Sequence, residues 1–487
     1  MKIYITGLAS GYDVEHLVRL FFPLAPLSAE APAPGEDAVC AYYGPEQMTA
    51  ELVQNGECSR RTAPLPAAGV KEDQALASLV YDLLREKTGI RPAWGKLTGV
   101  RPVRLIHDER AKGTSEADIA ERFLGYFDCT PEKFDMIRNI ANVQEHILEK
   151  GKGDRYYSLY IGIPFCPSRC SYCSFVSCNL DRDKKLVQPY VDDLCQEVRA
   201  IRYEAEHNHM TLRTIYIGGG TPTSLNAAQL RQLMETVRDC FDLSQLLEYT
   251  VEAGRPDCTD REKLAIIKEL GATRISINPQ TFSDQVLANI GRKHSAEDIV
   301  RCYEEARAVG HTDINMDLIA GLPGDTVEGF EMSLRRAIEL DPENITVHTL
   351  TLKRASRIMI EGQHEEYADV AAMLEKCHLL VEAGYIPYYL YRQKNTLQNL
   401  ENVGWCKPGH EGFYNIYIME EVHAILSAGA GGSTKLVGPG TIQRIFNYKY
   451  PQEYVQRFDE ILERKKGVTA FYEQSTDTQA AGGDQPV

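Results

Sequence analysis

The chain has 487 residues, 53 Lys and Arg against 69 Asp and Glu, and a formal charge of −16. With 43% apolar and 25% charged residues it has the composition of a soluble globular protein, which excludes global disorder. No run approaches the about 18 consecutive apolar residues of a membrane span, and the acidic balance argues against broad nucleic-acid binding, which needs Lys and Arg to neutralise phosphates.

The length predicts two to four domains at roughly 150 residues each. The opening Met1-Lys2-Ile3-Tyr4-Ile5-Thr6 lacks the residue order of a signal peptide. It reads as a first strand, and the cytoplasm is the expected compartment. Tyr12 to Phe22 reads as a short helix and Ala25 to Gly35 as a loop. Leu76, Leu79, Val80, Leu83 and Leu84 have helical spacing within Asp73 to Thr88. Thr114-Ser115-Glu116 and Thr130-Pro131-Glu132 each open a further helix with capping chemistry. Residues 1–150 are therefore expected to form an α+β module without a catalytic motif, followed by a linker, Gly151-Lys152-Gly153-Asp154.

From residue 157 to residue 391 short β-rich runs alternate with helical patterns. The expected strands are Leu159–Ile163, Thr214–Ile217, Tyr249–Glu252, Arg274–Ile277, Asp313–Asp317 and Ile345–Leu350. The expected helices include Leu186–Arg202, Ala227–Phe241, Asp260–Leu270, Ala296–Val309 and Val327–Leu340. Six strand–helix units imply parallel strands with crossover helices. A doubly wound sheet and a complete or partial barrel both fit, and either places chemistry at the C-terminal strand ends. Beyond Tyr391 the pattern loosens into a C-terminal domain, 392–487. It has a turn-rich loop at Gly429-Ala430-Gly431-Gly432-Ser433, a helix from Pro451 to Lys465, and a tail expected to be disordered from about Ser475.

The 13 cysteines are odd in number and irregularly spaced, so no disulfide framework is expected. Three of them cluster directly after the first core strand. Ile163-Pro164-Phe165-Cys166-Pro167-Ser168-Arg169-Cys170-Ser171-Tyr172-Cys173 sets Cys166, Cys170 and Cys173 in C-x3-C-x2-C spacing. Iron–sulfur clusters are held by such thiolates. Three of them leave one iron of a cubane open, as catalytic metal sites require. Zinc is the alternative, with a fourth ligand from Cys178 or a distant residue. The remaining cysteines are scattered and read as structural.

This stretch resembles the radical S-adenosylmethionine superfamily, in which the spacing binds a [4Fe–4S] cluster. Tyr160, the run Ile163-Pro164-Phe165-Cys166 and Tyr172 further resemble the oxygen-independent coproporphyrinogen III oxidases. So do Gly218-Gly219-Gly220-Thr221-Pro222-Thr223, Glu252, Asn278-Pro279-Gln280, Gly291-Arg292-Lys293 and the run from Asn315 to Gly324 that contains Asp317. The leading module, Tyr389 to Asn395 and Asn399 to Gly404 look most like the HemZ-type coproporphyrinogen dehydrogenases.

The resemblance implies a partial (β/α)6 TIM-like barrel over 151–391. It implies that Cys166, Cys170 and Cys173 hold the cluster, and that Tyr160, Gly219 and Glu252 hold the S-adenosylmethionine on it. Tyr172, Gly220, Thr221, Gln280, Arg292 and Asp317 would line a second S-adenosylmethionine site, with Tyr160, Arg292 and Asp317 acting in catalysis. The implied substrate is a porphyrinogen and the implied partner an electron donor such as flavodoxin or ferredoxin. Arg292, Lys293, Lys353, Arg354 and Arg392 are the candidates for binding its carboxylates.

Three positions depart from the pattern. Gly162 stands where the typical oxidase has His, Phe175 stands where it has a fourth Cys, and Thr349-Leu350-Thr351 replaces its Tyr-Ala-His run. The related haem chaperones share the Phe, so haem binding is the alternative function, and RNA modification a third. His294, His348 and His378 are read as structural, and Cys178 as a small buried neighbour of the cluster.

Overall fold

The computed structural model describes residues 1–487 except 100, 154, 176–177, 354–355, 358–368, 394–395, 439 and 482–487. The expectations for Asp154, Arg354, Lys394, Asn395 and the last six residues lie outside the described residues. The chain divides into two compact units: Met1–Asn139 with Gln398–Leu400, and Ile140–Leu397 with Glu401–Val487. The dividing point falls inside the helix Pro131–Gly151.

In the first unit a five-stranded sheet is ordered Leu27–Ser28, Lys2–Thr6, Ala38–Tyr43, Gln47–Gln54, Glu57–Pro64. Two helices, Tyr12–Phe21 and Glu72–Thr88, bury Val14, Leu17, Leu76, Val80 and Leu83 in one core with Val39, Ala50 and Leu52 of the sheet. The meander from 38 to 64 is not foreshadowed by the sequence pattern. Its last strand, Glu-Cys-Ser-Arg-Arg-Thr-Ala-Pro, shows little alternation because both its faces are largely exposed.

The second unit holds the core. Its six parallel strands are Tyr156–Ile163, Thr211–Gly219, Glu248–Glu252, Arg274–Ser276, Ile314–Ala320 and Asn344–Thr349, neighbours in sequence order. This is the partial (β/α)6 barrel. Leu159, Ile161, Ile215, Ile217, Val251, Ile275, Met316, Leu318 and Ile345 are wholly buried, as strands covered on both faces require. The helices begin where their caps dictate. Asn226 with Gln229 and Ser295 with Asp298 form capping boxes, and the side chains of Asp260 and Thr326 accept from the third residue of their helices. Ala296–Val309 and Val327–Leu340 have the ends read from the sequence.

The loosening expected after Tyr391 is not what the chain does. Glu401–Cys406 pairs antiparallel with the sixth core strand, and Ile386–Arg392 pairs antiparallel with it in turn. Ala424–Ala428 adds a parallel strand outside the first, followed by the hairpin Ser433–Gly438 and Thr441–Phe446, for eleven strands in all. These strands are short, and the two that join the group to the core, Glu401–Cys406 and Ala424–Ala428, pair with strands distant in sequence, so no local period marks them. The helix expected from Pro451 to Lys465 is broken into Pro451–Gln456 and Phe458–Lys465. Helical backbone then runs from Gly467 to Ala481, past the point where disorder was expected; residues such as Gln and Ala tolerate helix in a polar segment. Among the described residues no helix is long and apolar enough to cross a membrane.

A cysteine loop and an acidic barrel interior

The cysteine loop leaves the first strand through Phe165–Cys166, which pairs with Cys178–Asn179. Its seat is the end of the second strand. The Gly220 N–H donates to Ile163 O at 2.7 Å. A Cβ on Gly220 would lie 2.7 Å from Phe165 O and 3.0 Å from Cys166 Sγ, so only glycine lets the two segments close. Gly219 has φ +110°, a conformation that glycine adopts freely. Thr221 Oγ1 lies 3.5 Å from Cys166 Sγ.

Two buried guanidinium groups flank Cys170. Arg292 donates to Asn278 O at 2.7 Å and Gly254 O at 3.3 Å, and reaches the Tyr172 hydroxyl at 3.5 Å. Its Nε is buried without a partner. Arg255 reaches Cys170 Sγ at 3.8 Å. Burial pushes the Cys173 thiol up to about 11, so cationic neighbours matter for forming thiolates here. Among the described residues no three His, Cys, Asp or Glu side chains gather as ligands of a single metal ion. A cubane places each thiolate on a different iron, so its ligands stand apart. The glycine seat, the cationic surround and the unpartnered Arg292 Nε fit such a group with an anionic ligand beside it.

Deeper in the barrel, Tyr160 and Tyr216 are register partners whose rings stack at 6.2 Å, and Tyr414 stacks on Tyr216 at 4.6 Å. Tyr216 Oη donates to Glu252 Oε1 at 2.6 Å. Burial pushes the Glu252 carboxyl up to about 7; Asp317 adds to the rise, while Tyr216 and the Gly219 N–H oppose it. Asp317 accepts from Asn315 Nδ2 at 2.8 Å and faces His348 Nε2 at 3.6 Å. Burial works against its charge, but His348, Asn315 and Thr346 hold the carboxyl below its ordinary range. Gln280 sits at φ +69°, held by its N–H on Asp317 O (2.8 Å) and its carbonyl under Ile319 N–H (2.9 Å). A left-handed glutamine costs energy and is typical of functional sites.

The structure thus gathers the expected residues into two linked groups. Cys166, Cys170, Tyr172, Gly220, Thr221 and Arg292 surround the loop. Tyr160, Gly219, Glu252, Gln280 and Asp317 line the strand ends. His348, read as structural, instead faces Asp317, and its Nδ1 lies 3.2 Å from the Tyr391 hydroxyl. Of the basic candidates, Arg292 and Arg392 are buried and Lys293 and Lys353 exposed. Cys178 is buried as expected and accepts from Gln452 Nε2 at 3.3 Å. Sequence reasoning does not single out Arg255, Tyr216 or Tyr414. Arg255 follows the third strand by three residues, a position that could have been flagged; Tyr414 enters from a distant helix, and nothing local marks it.

Residues 160–337 match the radical SAM superfamily. The chain is 39% identical to the oxygen-independent coproporphyrinogen-III oxidase-like protein HemZ of Bacillus subtilis, over 83% of each chain. It is 36% identical to the heme chaperone HemW of Bacillus subtilis, over 59% of this chain and 74% of that one. Among solved structures it is similar to coproporphyrinogen III oxidase HemN of Escherichia coli, a radical SAM enzyme. The TM-score is 0.52 and the identity 25%, over 66% of this chain and 72% of that one.

Proposed function

The chain belongs to the oxygen-independent coproporphyrinogen-III oxidase-like family of radical SAM proteins, which use a [4Fe–4S] cluster and S-adenosylmethionine, and we propose that it is a coproporphyrinogen III dehydrogenase. Two propionates of coproporphyrinogen III would each lose one hydrogen atom, carbon dioxide and one electron, the electron passing to an external one-electron acceptor, giving the two vinyl groups of protoporphyrinogen IX. When bound, the reduced cluster with S-adenosylmethionine would supply the radical chemistry for removing that hydrogen atom.

Cys166, Cys170 and Cys173 would hold the cluster on the Gly220 seat. Glu252, kept in place by Tyr216, would bind the ammonium or ribose hydroxyls of the first S-adenosylmethionine beside Tyr160 and Gly219. Gln280, Asp317, Thr221 and Tyr172 would line the second, and Arg292 would fork onto a carboxylate. The tyrosine stack, with Tyr414 buried at its end, would help to keep water from the reacting centre. Electrons would come from a small carrier such as flavodoxin or ferredoxin. The observation that carries the reading is the convergence of the cysteine loop, the Tyr216–Glu252 pair and the unpartnered Arg292 Nε at adjacent strand ends.

The test is anaerobic turnover with reduced coproporphyrinogen III, following 5′-deoxyadenosine and protoporphyrinogen IX together. Formation of 5′-deoxyadenosine without protoporphyrinogen sinks it. A second reading, haem delivery, is favoured by Phe175, which is 62% exposed next to the cysteine loop. It is supported if haem binds stoichiometrically in an absorbance titration while turnover is absent.

A further inference from the structure

Arg255 has no part in the proposed reaction, yet it is among the most tightly held cations in the chain. A guanidinium has five N–H donors in a planar fork. Here Nε donates to Asp257 Oδ1 (3.0 Å), and Nη2 to Asp257 Oδ2 (2.7 Å) and Ser168 Oγ (2.9 Å). Nη1 donates to Ser168 O (3.0 Å) and Cys170 Sγ (3.8 Å). Five acceptors thus meet five donors in a residue that is 4% exposed. Asp257 also faces His294 Nδ1 at 3.7 Å, and these two neighbours, His294 and Arg255, hold its carboxyl well below the ordinary carboxylate range against its burial. Ser168 Oγ donates in turn to Gly291 O at 3.0 Å, next to Arg292. The Nε–Nη2 edge of Arg255 is neutralised by Asp257, while the Nη1 corner turns towards the sulfur.

We propose that Arg255 is a positioning residue for the metal centre that also sets its reduction potential, through its hydrogen bond to Cys170 Sγ. The inference rests on the three cysteines holding the cluster. Cluster potentials depend on net charge and on hydrogen bonds to the ligating sulfurs. One-electron reduction adds negative charge, so a cationic donor at the sulfur favours the reduced form and raises the potential. Arg255 would thereby ease electron entry from a carrier, and its clamp on Ser168 would fix the cysteine loop in the geometry that the bond requires.

The experiment is an EPR-monitored redox titration of the reconstituted full chain and of its Arg255→Gln and Arg255→Lys variants, with iron and sulfide assayed on each sample. Arg255→Gln should lower the reduced-to-oxidised ratio at a fixed ambient potential about tenfold, which is ~59 mV for a one-electron couple. Arg255→Lys keeps the charge but loses the fork, and should give a smaller fall of about threefold. Variants that load iron normally and titrate within twofold of the unaltered chain would overturn the proposal. If Arg255→Gln fails to load, Arg255→Lys decides. If neither loads, Arg255 only holds the loop and the proposal falls. Failure of the unaltered chain to bind four irons would instead remove the cluster reading itself.

Discussion

Lys465 Nζ lies 2.6 Å from Glu197 Oε1 with both side chains sealed from solvent, joining a C-terminal helix to the first crossover helix of the barrel. Glu197 also accepts from Tyr454 Oη (2.6 Å), Asn447 Nδ2 (2.7 Å) and the Gly429 N–H (2.8 Å). Through Gly429 and Ala430 this network presses on Gly162, whose carbonyl accepts from Tyr190 Oη at 2.7 Å. Gly162 lies on the strand that carries Tyr160, so the turn predicted at 429–433 braces the site from behind.

Removing one partner of a buried ion pair leaves an uncompensated charge, at a cost of about 3–5 kcal/mol. Lys465→Met should therefore lower the urea midpoint of the second unit sharply. The double change Glu197→Gln with Lys465→Met should recover much of the loss, because no bare charge remains. Equal destabilisation by the single and double changes would refute the ion-pair account.

Gly220 is the second point of leverage. Gly220→Ala forces a methyl group to within 2.7 Å of Phe165 O and 3.0 Å of Cys166 Sγ, so backbone must move. Overpacking of this kind costs about 1–3 kcal/mol, and it acts where Cys166 must be aimed. Iron content after anaerobic reconstitution should drop several-fold. Gly99→Ala, where a Cβ meets open space, is the control and should load normally.

Glu252 gives a pH dependence. Its native value of about 7 exceeds its ordinary 4.5, so the folded chain holds the proton more tightly than the unfolded one. Stability from this group therefore falls as pH rises from 4.5 towards 7 and is constant above. Binding of an ammonium or ribose hydroxyls needs the carboxylate, so S-adenosylmethionine affinity should rise with pH up to about 7. Tyr216→Phe removes a hydrogen bond that favours the charged form, and should move that rise to higher pH in equilibrium dialysis of the holo-protein. An unchanged profile would separate Glu252 from ligand binding.

Asp317 has the opposite sign. Its carboxyl is held below its ordinary 3.8, so it contributes stability that is present above that value and lost as pH falls through the depressed one. His348→Gln removes the strongest opponent of its burial. Acid unfolding followed by circular dichroism should then begin at a higher pH than in the unaltered chain.

Local signals carry much of this protein. The cysteine spacing, the glycine run after the second strand and the carboxylates at strand ends are legible because parallel strands are continuous apolar runs, and their C-terminal ends follow directly in sequence. Capping residues mark helix starts for the same reason, as Ser295 and Thr326 show. Gln280 is legible as a residue but not as a left-handed one, since its φ comes from bonds to Asp317 and Ile319 on the neighbouring strand.

The amino-acid order alone determined the cysteine trio, the six strand–helix units and the family resemblance, all properties of residues close in the chain. Tertiary structure decided the rest: that Arg255 reaches Cys170, that Tyr414 completes the tyrosine stack, and that the segment after 391 extends the sheet. Each of these depends on contacts between residues far apart in the chain, as with Arg255 and Cys170, Tyr216 and Tyr414, or Tyr157 and Ala424. Burial and pairing at such separations follow from how the whole chain packs, and no local period encodes them.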